Sequence, residues 1–164
     1  HKALQVRRRE MSDLLSKIGR KSNIKTTRTN VARSQLQLMM IWKTAFSDSV
    51  FGDFYNPCPD LKDGEMAIFV FHGYANSKTD GIKVTEIVET DEALVVCYDK
   101  IASGNSDENT FDCPYEIKTI PHSEKQIVFF DEATWRDLPM RFKDHLYTRN
   151  RHEQRVSKNS FKMK

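Results

Sequence analysis

The sequence predicts an α+β fold: a small, mostly antiparallel β-sheet or partly open barrel of about five strands, flanked by N-terminal helices and a C-terminal helix. Two observations carry this reading. Between residues 65 and 130 lie five short runs rich in Val, Ile, Phe and Tyr, separated by Gly, Asn, Asp, Ser and Pro. Strands joined by turns are written this way. On either side of that stretch, apolar residues recur at helical spacing instead.

Charge divides the chain the same way. Residues 1–44 carry 11 Lys/Arg against 2 Asp/Glu, residues 45–135 carry 6 against 18, and residues 136–164 carry 9 against 3. The net charge of +3 therefore conceals an acidic body between two basic arms. The expected organisation is a basic helical N-terminal arm over 1–46, an acidic β-rich module over 47–130, and a C-terminal helix with a basic tail over 131–164.

Taken in order, Met11, Leu14, Leu15 and Ile18 fall at i, i+3, i+4 and i+7, which predicts one face of a first helix ending near Gly19. Residues 22–30 are polar and Thr-rich, and read as an extended linker. A second helix is expected from Val31 to about Phe46, with Asn30 as its N-cap. Leu36 to Trp42 is apolar nearly all round, so this helix should lie against the sheet or against a partner; a strand is the alternative for so short an apolar run. Lys62-Asp63-Gly64 reads as the turn that launches the first strand. There the pleat sets Ala67, Phe69 and Phe71 on one face and Ile68, Val70 and His72 on the other. Both sets are mostly apolar, as expected of a central strand covered on both sides. Thr90-Asp91-Glu92 reads as a hairpin connection. Asp131 is placed to cap a last helix carrying Trp135, Leu138, Phe142 and Leu146, which Pro139 should kink or divide. At least one of the two terminal stripes is expected to be buried against another chain.

Residues 65–130 resemble the C-terminal domain of PrcB-type protease-complex subunits. The similar features are the apolar strand ending in Gly73, the turn Thr79-Asp80-Gly81-Ile82, a strand and hairpin, then Pro114-Tyr115, Pro121, Ser123, Lys125 and Ile127-Val128-Phe129. The family's turn carries a further Gly and a Tyr that this chain lacks. The resemblance implies a non-catalytic β-rich module that attaches to other proteins, with a protease-associated or protease-inhibitory role.

No constellation points to catalysis. His72 ends a strand with no Ser or Cys nucleophile near it in sequence, so a structural histidine is expected. His145 and His152 would sit roughly 10 Å apart on a helix, too far to share one ion. Asn105-Ser106-Asp107-Glu108-Asn109 with Glu116 echoes a calcium loop, but Thr110 stands where the turn needs Gly and Pro114 interrupts it. Cys58, Cys97 and Cys113 show no Cys-x-x-Cys spacing. No Gly-rich phosphate loop occurs. Neither catalytic residues, cofactor nor metal is therefore expected.

What remains is an assembly role. Other protein subunits are the expected partners, and nucleic acid is the alternative, as in a virion or ribonucleoprotein component. The expected partner-binding residues are Arg7, Arg8, Arg9, Met11, Leu14, Leu15, Ile18, Arg20 and Lys21 in the first arm, and Trp135, Phe142, Leu146, Arg149 and Arg151 in the second. These arms could instead fold over their own acidic module. No apolar run approaches the roughly 18 residues that span a bilayer, and the first ten residues carry no signal stretch, so an intracellular, reducing location is expected.

Overall fold

The computed structural model describes residues 7–8, 12–46, 57–75, 80–101, 112–140 and 143, with the main chain alone for 7–8 and 12–17. The elements run β1 (Arg7–Arg8), β2 (Ser12–Gly19), β3 (Arg28–Ala32), α1 (Gln35–Phe46), β4 (Glu65–Phe71), β5 (Gly81–Glu89), β6 (Ala93–Ile101), β7 (Tyr115–Pro121), β8 (Gln126–Asp131) and α2 (Glu132–Asp137). The strands form two sheets, ordered β1-β5-β6-β8 and β2-β7-β4-β3. Every pairing is antiparallel except that of β6 with β8. The α+β, mostly antiparallel class read from sequence is the one the chain adopts. Its strands divide between two stacked sheets.

The stacking follows from β4. Met66 to Phe71 are all buried, and their side chains alternate between two cores. Ala67, Phe69 and Phe71 meet Leu38, Trp42, Ala45 and Phe46 of α1, together with Tyr115 and Ile117. Met66, Ile68 and Val70 meet Ile82, Val84 and Ile87 of β5 and Leu94 and Val96 of β6. On the far side of β6, Ala93, Val95 and Cys97 pack with Val88 and with Trp135 of α2. The layers are therefore helix, sheet, sheet, helix. A charged pair sits between the sheets: the buried Glu116 carboxylate accepts the Val84 amide at 3.2 Å, where a register shift interrupts β5, and the Lys118 ammonium lies 3.7 Å from it. Burial pushes the Glu116 carboxyl above its ordinary range.

Local signals behave as their chemistry demands. Glu65 N–H closes a turn onto Lys62 O at 3.1 Å, with Gly64 at φ +78°. Gly73, at φ +82°, lies where any Cβ would come within 2.8 Å of the Thr26 backbone. The Asp131 side chain accepts from the Ala133 and Thr134 amides and caps α2. Leu138 is extended, and Lys143 N–H bonds to Pro139 O, so Pro139 does divide the terminal segment.

Two expectations fail. The helix expected over the first 18 residues is replaced by β1 and β2, and β2 pairs with the outer edge of β7. Helix propensity is a weak prior here: Ser12, Asp13 and Ser16 are poor helix formers, and an apolar central strand such as β7 needs a partner on that edge. The second helix starts later than expected. Residues 28–32 form a strand along β4 instead of a linker and a helix cap. Ser34, not Asn30, begins α1: its Oγ accepts the Gln37 amide at 3.2 Å, and Gln37 Oε1 reaches back to Arg33 N–H at 2.6 Å. Residues assigned to an arm thus supply two strands and the covering helix of the second sheet.

Phe69 lies between α1 and the sheet with its ring stacked 5.9 Å from that of Phe71. Phe69→Ala should cost about 3–5 kcal/mol, as other buried aromatic truncations do. Urea melts showing a loss below about 1 kcal/mol would contradict this packing.

Candidate functional site

β3 ends its sheet, and among the described residues only one of its edges is taken, by β4. After Ala32 the chain turns through Arg33 and Ser34 into α1, which brings late helix residues back beside the start of β3. Met40, Ile41 and Thr44 there face Arg28 and Asn30 across a cavity of about 180 Å³. Buried Ile24 and Phe71 form its floor. Thr44 Oγ1 donates to Met40 O at 3.0 Å, so its hydroxyl is satisfied within the helix.

Beyond the rim the helix stays apolar. Leu36, Met39 and Met40 are 67%, 50% and 64% exposed. Leu36, Met40 and Thr44 follow at i, i+4 and i+8, so one row runs along the groove. Burying such side chains is worth roughly 1.5–3 kcal/mol each, and that gain is unrealised in the isolated chain. Methionine is also the apolar side chain best able to reshape itself around a partner.

The segment that carries β3 and α1 is basic. Residues 20–46 contain Arg20, Lys21, Lys25, Arg28, Arg33 and Lys43 and no Asp or Glu. Arg20 and Lys21 both grip the Asp112 carboxylate, Arg20 Nε at 2.8 Å. Arg33 donates to the carbonyls of Ser123 and Lys125. Lys25, Arg28 and Lys43 are exposed and form no ion pair among the described residues.

The residues singled out from sequence are scattered. Arg20 and Lys21 fold onto their own acidic module. Ile18 is 70% exposed at the end of β2, so it belongs to no buried stripe. Arg7 and Arg8 form β1 beside β5, and Leu14 and Leu15 lie in β2; only their backbone is described. Trp135 is buried against Phe130, Val128 and Leu138 of its own chain, with the Lys143 ammonium 4.3 Å from its ring. Arg9, Met11, Phe142, Leu146, Arg149 and Arg151 lie outside the described residues, as do His145, His152 and residues 105–109. Sequence reading missed Ile24, Arg28 and Asn30, which sat in the supposed linker. The all-round apolarity of Leu36 to Trp42 was the available signal for the helix side.

Among the described residues, the strand-end histidine has no side-chain hydrogen-bond partner. His72 is buried; its Nδ1 lies 3.3 Å from Gly73 O, and its Nε2 has no hydrogen-bond partner. Because a carbonyl only accepts, the proton belongs on Nδ1. Burial and then the Lys100 charge hold its pKa below the ordinary histidine range. Burial pushes the Cys97 thiol up to about 12, and those of Cys58 and Cys113 are raised as well, so none is an activated nucleophile. Among the described residues, no group of three or more His, Cys, Asp or Glu side chains is placed to hold a metal ion. No helix among them is long and apolar enough to cross a membrane.

Two pH dependences follow. Burial works against the Asp112 carboxylate, but hydrogen bonds from Lys21 and Arg20 outweigh it and hold its pKa below the usual range. Its stabilisation is therefore present above about pH 4 and is lost as pH falls through the folded value. Asp112→Asn should cost about 1 kcal/mol at pH 7, a modest figure because both cations remain partly in water. In urea melts the difference from wild type should close at acid pH; a difference unchanged from pH 7 to pH 3 would contradict the clamp. His72 is neutral when folded, so stability is full above about pH 6.5 and declines as pH falls towards the folded pKa. Between pH 7 and 5 the wild-type melting temperature should drop further than that of His72→Asn. Parallel profiles would show that the imidazole is not held neutral.

The chain matches no family model, no curated protein and no solved structure.

Proposed function

We propose that the chain is a non-enzymatic docking or assembly subunit that engages another protein through the α1–β3 face. The observation that carries this reading is the exposed apolar patch of Leu36, Met39 and Met40 on α1, with Met40 at the rim of a groove that Phe71 also lines. A groove of this kind, apolar at the centre and polar at the rim, suits a protein partner. The resemblance of residues 65–130 to the PrcB C-terminal domain supports the same role and adds a protease-associated or protease-inhibitory context. Thiols at Cys58, Cys97 and Cys113 suit a reducing compartment. A nucleic-acid partner suits the face less well, because phosphates would engage Lys25, Arg28 and Lys43 while leaving the apolar row in water.

The role is tested by selecting displayed random peptides on the full chain and rebinding them to the triple variant L36S/M39S/M40S. These side chains are exposed, so the variant should melt within a few degrees of wild type. The selected peptides should lose at least about tenfold in affinity on it, about 1.4 kcal/mol. Equal binding to both proteins, or no selectable peptide at all, would refute docking at this face.

A further inference from the structure

The groove lies along an edge of β3 that no described strand occupies, and this suggests what it holds. We propose that the partner enters as an extended acidic segment that adds to the second sheet beside β3, seating alternate apolar side chains in the groove and carboxylates against Arg28. This inference rests on the docking role and specifies its mode.

Three features converge on it. In an antiparallel pair every second residue turns its N–H and C=O away from its partner, so the edge of β3 left unpaired among the described residues offers donors and acceptors in strand register. Arg28 and Asn30, two residues apart, both line the groove. That is the pleat repeat, and an added strand would place every second side chain on the same face, towards Met40. The two walls also match in length. β3 has 5 residues and α1 has 12, so each extends roughly 17–18 Å. A short strand laid against β3 would run beside Met40, Ile41 and Thr44 of α1.

Charge selects the occupant. Arg28 lines the groove and has no ion pair among the described residues, and the segment that carries β3 and α1 contains no Asp or Glu of its own. A segment carrying Asp or Glu between its apolar residues complements this face. A second copy of the chain does not, because pairing β3 with β3 would bring two all-basic segments together. An Arg on an exposed edge is itself a device against such self-pairing.

The test uses the peptides selected above, in forms of about seven residues. They should alternate apolar with acidic residues. N-methylation of backbone amides at every second position should weaken binding to the full chain at least about tenfold, while methylation at the intervening positions should change it less than about threefold. Arg28→Glu should weaken the acidic peptides at least about tenfold and should bind their Lys-for-Glu counterparts better than wild type does. Bound peptide should also slow hydrogen exchange at the outward amides of β3. Peptides that bind wild type, fail on L36S/M39S/M40S and yet ignore the position of N-methylation would overturn strand addition while leaving docking intact. Selection of basic peptides would overturn the acidic partner. Light scattering that shows a dimer dissociated by L36S/M39S/M40S would assign the face to a second copy and overturn the proposal. Loss of all peptide binding specific to the face would instead remove the docking role beneath it.

Discussion

A strand covered on both faces and paired on both edges must have four neighbours, and β4 sets that requirement for the whole molecule. Its hydrogen bonds are taken by β3 and β7, its odd-numbered side chains by α1, and its even-numbered ones by β5 and β6. No residue from Met66 to Phe71 keeps measurable contact with solvent. Removing any one neighbour would leave either apolar surface or backbone amides without a partner. The ring contacts Trp42–Phe46 at 4.7 Å and Phe46–Tyr115 at 4.9 Å show how the helix is locked onto the strand layer it covers.

The basic N-terminal part is held mainly by backbone pairing, with charge assisting at one corner. Cys113 N–H bonds to Arg20 O at 2.8 Å, Tyr74 N–H to Lys25 O at 3.2 Å, and Thr27 Oγ1 donates to His72 O at 2.9 Å. Gly73 allows residues 25–26 to approach closely, and Asp112 then finds Arg20 and Lys21 within reach. Exposed ion pairs contribute little individually, so the Asp112 clamp fixes the corner without creating it. His72 fits the same account: it is neutral and buried, and it fills the corner.

α1 carries more apolar surface than its own sheet can cover. Leu38, Trp42, Ala45 and Phe46 complete one core, while Leu36, Met39 and Met40 remain outside. That surplus lies next to the only edge of β3 that β4 does not use. A helix face and a strand edge meet at one groove, and Arg28 lines it.

By itself the sequence determined the five strands between residues 65 and 131, most within a residue at each end and β6 three residues short, because their apolar runs and the Gly, Asp and Thr turns between them act locally. It also determined the Asp131 cap, the break at Pro139 and the two-faced burial of Met66 to Phe71. Tertiary structure alone decided that residues 12–19 and 28–32 are strands. Their fate depends on the free edges of β7 and β4, supplied by distant parts of the chain, and weak local propensity yields to that pairing. It likewise decided which of the nearly all-apolar residues of α1 enter the core, since the pattern from Leu36 to Trp42 has no polar face to orient it. The pairing of Arg20 with Asp112, 92 residues away, belongs to the same class. A local pattern shows that a segment needs a neighbour, but only the folded chain determines which neighbour it has and which surfaces are left over.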